Sequence, residues 1–88
     1  MAMVTVRILL QGGAVHEAEL PDDEPVGWLL PQLVEHLDLP TTRKDGTRLI
    51  YSLTSESTKA RLLEDTDLRH AGVPAGDTLR LIGDPEAG

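Results

Sequence analysis

Three histidines, His16, His36 and His70, are by type the residues best suited to ligate a metal or move a proton, and their spacing supports neither. No HxH or HExxH pair puts two imidazoles on one face of a strand or helix. The three fall on different predicted elements, and His16 reads as a strand-edge residue rather than a ligand. The chain has no cysteine, which excludes a thiolate metal site and a disulfide framework. No Ser/His/Asp arrangement stands out. No glycine-rich loop carries a strand into a helix, as a phosphate cradle requires. Gly12-Gly13 has the form of a hairpin turn. The sequence therefore predicts no catalytic residues, no cofactor and no metal, and a protein that is not an enzyme.

Composition narrows the function further. The 88 residues fit one small domain, and a hydrophobic fraction of 40% is enough for a modest core. That core must be aliphatic, because Trp28 and Tyr51 are the only aromatics and Phe is absent. A net charge of −7 argues against nucleic acid, whose phosphates demand a basic surface. The N-terminal residues lack a basic segment followed by a long apolar run, so they do not read as a signal peptide. No apolar stretch approaches the ~18 residues of a membrane span. Membrane insertion is not expected, and absence of cysteine fits a cytoplasmic location. Charge is segregated along the chain. Between Ile8 and Thr42 there is no Lys or Arg, while Glu17, Glu19, Asp22, Asp23, Glu24, Glu35 and Asp38 are all acidic. The arginines gather on predicted strands and in the last third. The pattern is either ordinary solvated surface or an acidic helix side opposed to a basic sheet side that would orient protein partners.

Hydrophobic periodicity supplies the elements. Val4 to Leu10 alternates with period two and reads as a strand, turned by Gln11-Gly12-Gly13 into a return strand from Ala14 to Leu20. Pro21 to Pro25 reads as a helix entry with a capping Asp and acidic residues at the positive end of the dipole. Val26, Leu29, Leu30, Leu33, Val34 and Leu37 form a continuous apolar stripe, interrupted in register by Pro31. A third strand is predicted over Thr47–Leu53 and a short fourth over Lys59–Leu63. The last third is the most specific: an acidic turn, one helical turn opened by Asp67-Leu68 and stopped by Gly72, a tight turn at Gly76-Asp77, and a strand over Thr78–Ile82. Gly72 and Gly76 stand where the backbone needs positive φ. The expected core is Val4, Val6, Ile8, Leu20, Val26, Leu29, Leu33, Leu49, Leu68, Val73, Leu79 and Leu81. The order β-β-α-β-β-β makes an α+β domain over residues 1–82, with one helix packed on a twisted mixed sheet and residues 83–88 as a flexible tail.

Arg48-Leu49-Ile50-Tyr51, together with Leu63-Glu64-Asp65, Asp67-Leu68, Val73 and Thr78-Leu79-Arg80-Leu81-Ile82, resembles ubiquitin and its β-grasp relatives. The helix entry Glu19–Val26 and the run Leu29-Leu30-Pro31-Gln32-Leu33-Val34 resemble the bacterial YukD/EsaB-like branch, which includes the ubiquitin-like domain of a type VII secretion membrane component. Pro31 inside the helix fits that branch better than ubiquitin. The resemblance covers residues 4–82 and implies protein partners rather than chemistry.

Three candidate sites follow. Strand parity turns Arg7 and Leu9, Arg48 and Ile50, and Arg80 and Ile82 to the outer sheet face. A ubiquitin-like strand order would gather Leu9, Ile50 and Ile82 into an apolar patch rimmed by arginine, either a partner-binding surface or scattered surface aliphatics. Trp28 lies off the apolar stripe, as an exposed contact residue or packed against Pro31. Gly88 ends the chain as the reactive glycine of a ubiquitin-like modifier would, although Ala87 replaces the usual penultimate glycine and Asp84 and Glu86 replace basic residues. The resemblance thus implies two leading roles, beside that of a sulfur carrier of the same fold. In one, activating and conjugating enzymes join the protein through Gly88 to targets. In the other, a non-conjugated adaptor or domain docks on secretion-system components.

Overall fold

The computed structural model describes residues 2–86, and the period-two alternation at the N-terminus builds its first hairpin. Strand β1 (Met3–Leu10) turns at Gly12-Gly13 and pairs antiparallel with β2 (Val15–Pro21). The helix α1 (Val26–His36) crosses one sheet face and is followed by β3 (Leu49–Ser55), β4 (Ala60–Arg61) and β5 (Thr78–Pro85). The sheet order is β2-β1-β5-β3-β4, with β1 and β5 parallel in the middle and every other pair antiparallel. This is the α+β, β-grasp arrangement that the sequence predicts.

The core lies between the inner sheet face and α1. Val6, Ile8, Val26, Leu29, Leu53, Leu68, Leu79 and Leu81 are almost wholly buried. Leu53 and Leu62 belong to this core although the sequence reading omits them, and the expected core residues Val4 and Leu49 are only half-buried at its margin. For β3 the reason is position along the strand: it begins two residues later than predicted, so Leu49 opens it at the margin while Leu53 lies in its buried part.

Local structure departs from expectation at three further places. The residue at the helix start is Pro25, with no side-chain cap, so the predicted aspartate cap does not form. Its role passes to main chain: Val26 N–H donates to Thr66 C=O (3.0 Å) and Gly27 N–H to Glu64 C=O (2.9 Å). The predicted helical turn after Asp67 is a hydrogen-bonded turn, held by Ala71 N–H on Asp67 C=O (3.0 Å) and Val73 N–H on Leu68 C=O (3.1 Å). Gly72 and Gly76 do take the predicted left-handed backbone, with φ of 78° and 82°. Lastly, β5 runs past Ile82 to Pro85, so the segment expected to be a free tail from residue 83 is strand over Gly83–Pro85.

Candidate docking face

Ladder register decides which side chains share the outer face. Leu9 pairs with Val15 on β2 and with Arg80 on β5, Arg80 pairs with Thr54 on β3, and Thr54 pairs with Arg61 on β4. Val15, Leu9, Arg80, Thr54 and Arg61 therefore form one rung across all five strands. Ile82, two residues beyond Arg80, is the diagonal neighbour of Leu9 on one side. On the other side it is the diagonal neighbour of Ile50, whose direct partner is Asp84. Leu9, Ile82 and Ile50 thus lie on a diagonal, and parity puts Arg7 on the same face as Leu9. Ile50 is 39% exposed, Leu9 and Ile82 are half-buried, and Arg7, Arg48 and Arg80 are exposed. Val15, 54% exposed, extends the apolar row.

The face is not a basic surface. Register places Glu17 opposite Arg7 and Glu19 opposite Thr5, and Asp84 lies beside Ile50. Arg80 Nε stands 3.5 Å from Glu56 Oε1 and Arg48 Nε 4.0 Å from Glu86 Oε2. Such exposed pairs contribute about 0–1 kcal/mol each, but they cancel the local field. Of the two readings of the charge pattern, an acidic helix side opposed to a basic sheet side does not hold: the acidic strand β2 and the β5 end lie in the same sheet as the arginines.

Trp28 is 48% exposed on the first turn of α1 and stands apart from the core cluster. The three histidines stay dispersed. His16 is exposed on β2, His36 ends α1, and His70 lies in a turn capped by Asp67. Asp67 accepts from His70 N–H (2.8 Å) and lies 2.6 Å from its Nδ1, contacts that hold the Asp67 carboxyl below its ordinary range. Among the described residues, no cluster of three or more His, Asp or Glu side chains could hold a metal. No helix among them is long and apolar enough to cross a membrane.

One buried polar cluster, starting at Ser55 just past the predicted end of the third strand, has no counterpart in the sequence analysis. Ser55 and Asp77 are both buried. The Asp77 carboxylate accepts from Ser55 Oγ (2.5 Å), Ser57 Oγ (3.0 Å), Ser57 N–H (3.1 Å) and Thr78 N–H (2.8 Å). Burial alone would raise its pKa, but the donors from Ser55, Ser57 and Thr78 together outweigh that and leave it lowered. With its carboxylate saturated by donors, the cluster is a structural clasp joining the end of β3 to the start of β5.

At the other end of β5, Gly83 pairs with Tyr51 and donates its N–H to Gln11 Oε1 (3.0 Å), while Glu86 N–H donates to Arg48 C=O (2.8 Å). The chain is thus bonded to the sheet as far as Glu86. Gly88, the expected conjugation residue, and Ala87 lie outside the described residues.

Comparison with known proteins adds identity to this geometry. Residues 3–81 match the family model described as "WXG100 protein secretion system (Wss), protein YukD". No curated protein sequence matches. Among solved structures, the EccD5 ubiquitin-like domain from Mycobacterium xenopi is 16% identical with a TM-score of 0.75, covering 99% of this chain and 100% of that one. Ubiquitin from Caldiarchaeum subterraneum is 23% identical with a TM-score of 0.70, covering 99% and 100%. Protomer 1 of the ESX-3 core complex is 26% identical with a TM-score of 0.72, covering 99% of this chain, which spans 17% of that longer one.

Proposed function

We propose, from the premise that this chain belongs to the YukD family of the WXG100 protein secretion system, that it is a docking module of a type VII secretion apparatus. It acts by binding protein components rather than by catalysis. The observation that carries this reading is the family match over residues 3–81, which takes in β1 to β4, the whole helix and the first half of β5. The likeness to a chain of the ESX-3 core complex supports the same setting. The contact surface is the outer sheet face: Leu9, Ile50 and Ile82 as the apolar diagonal, Arg7, Arg48 and Arg80 as its polar rim, and Trp28 as a separate exposed contact.

The competing reading is conjugation through Gly88 by activating and conjugating enzymes. It expects a free reach of chain beyond the last strand. The bonding of Gly83 to Gln11 and of Glu86 to Arg48 shortens that reach, which favours docking. The test is affinity capture of the secretion-system proteins of the same organism with three forms of the chain. Wild type and a form lacking Ala87-Gly88 should retain a secretion component equally, while Leu9→Glu with Ile82→Glu should lose it. An ATP-dependent adduct with an activating enzyme that vanishes on deleting Gly88 would replace docking with conjugation.

A further inference from the structure

The phase of the β3–β5 ladder leaves one place on the sheet edge open. Glu86 N–H bonds Arg48 C=O, so the even-numbered residues of β3 face β5 and the odd-numbered ones direct N–H and C=O to the opposite edge. Two of the odd residues are met there. Leu53 C=O accepts from Leu62 N–H (2.8 Å), and Leu49 N–H donates to Thr41 C=O (2.9 Å). Tyr51 lies between them, and its main-chain N–H and C=O have no backbone partner among the described residues. β4 cannot cover the position, because the chain after Leu62 leaves the sheet to give the Glu64 and Thr66 carbonyls to the start of α1. A groove of about 620 Å³ runs along this edge, between α1 and β3. Leu30 and Val34 form its helix wall and Leu49 and Tyr51 its strand wall. Because Ile50, from the opposite sheet face, lines it too, the groove borders the strand edge and not one face alone. Glu35 and Glu64 stand exposed in its lining, and Arg48, which lines it too, has its charge offset by Glu86 at 4.0 Å.

We propose that this edge receives an extended segment of a partner protein, aliphatic residues flanked by Lys or Arg, added as a short strand beside Tyr51. Main-chain donors and acceptors at a strand edge are matched by another extended backbone, and the alternate guest side chains enter the apolar groove. The stretch between the Leu49 and Leu53 contacts spans roughly 14 Å at ~3.4 Å per residue, room for about three guest residues. Acidic rims select a basic flank, and the −7 charge of each chain disfavours a second copy as the guest. The site shares Arg48 and Ile50 with the margin of the outer-face docking surface proposed above, but the Leu9 and Ile82 variants leave it intact, so either can fail alone.

The test is amide-resolved NMR of the ¹⁵N-labelled full chain at low salt, titrated with acetyl-Lys-Val-Val-Val-Lys-amide. The expected result is a saturable downfield shift of the Tyr51 amide. Three changes should each weaken binding about tenfold or more: N-methylation of all three valines, replacement of both lysines of the probe by Glu, and Glu35→Lys with Glu64→Lys in the protein. An unmoved Tyr51 amide, or equal binding of the N-methylated or the Glu-flanked probe, overturns the proposal. A Tyr51 shift that grows with protein concentration in the absence of probe assigns the edge to a second copy and overturns it as well.

Discussion

Tyr51 lies over Gly83 so closely that a Cβ at position 83 would stand 2.7 Å from the tyrosine Cε1 and 3.0 Å from Cζ. The ring cannot swing away freely, because Tyr51 Oη donates to Pro40 C=O at 2.6 Å. Gly83→Ala should therefore destabilise the fold by about 1–3 kcal/mol, the usual cost of forcing an extra carbon into a packed site. Thermal unfolding monitored by circular dichroism checks this, and Gly83→Ala with Tyr51→Leu should recover part of the loss.

The Ser55–Asp77 clasp predicts an acid limb. The Asp77 pKa is lowered in the folded state, so its contribution is fully present above the unfolded value, ~3.9. That contribution is lost as pH falls through the folded value. Asp77→Asn should cost about 1–3 kcal/mol at neutral pH, where it leaves hydroxyl donors poorly matched. Unfolding midpoints measured from pH 7 down to pH 2 should show the gap between the two proteins closing below about pH 4.

Pro31 removes the donor that would bond Gly27 C=O, six residues into an eleven-residue helix. Pro31→Ala restores that donor on an exposed position and should stabilise the protein by about 1–2 kcal/mol. The interior penalty of proline, ~3 kcal/mol, exceeds the unfolded-state entropy it removes, ~1 kcal/mol. A rise in the urea midpoint at unchanged slope is the expected measurement.

Trp28, half-exposed and outside the core, should contribute little to stability. Trp28→Ala is expected to stay within about 0.5 kcal/mol of wild type. In the wild-type protein, iodide should quench the fluorescence of this single tryptophan readily.

Parity made the outer face legible: Arg7, Leu9, Ile50, Arg80 and Ile82 fall where alternation puts them, because register shifts by even steps leave faces unchanged. β3 begins two residues later than the sequence predicts, yet Ile50 keeps its side. What could not be read was long-range. Ser55 reads as loop because its partner Asp77 is 22 positions away. Gly83-Asp84-Pro85 reads as a tail because only the tertiary pairing with Leu49–Tyr51 makes it a strand. The aspartate cap was a sound local inference, displaced by carbonyls from residues 64 and 66 that no window around the helix contains. The open edge at Tyr51 depends on ladder phase, which composition does not carry.

The pairing of the first strand with the last has a consequence for how the protein is made. β1 leaves the ribosome early, but its central neighbour is β5, and α1 receives its N-terminal partners only with residues 64–66. A growing chain can form the first hairpin and little else that lasts, since a lone hairpin is marginal in water. The central ladder closes only when Thr78–Pro85 emerges. Until then β1 offers a bare hydrogen-bonding edge, so the unfinished chain is the form most exposed to chaperones, proteases and mispairing.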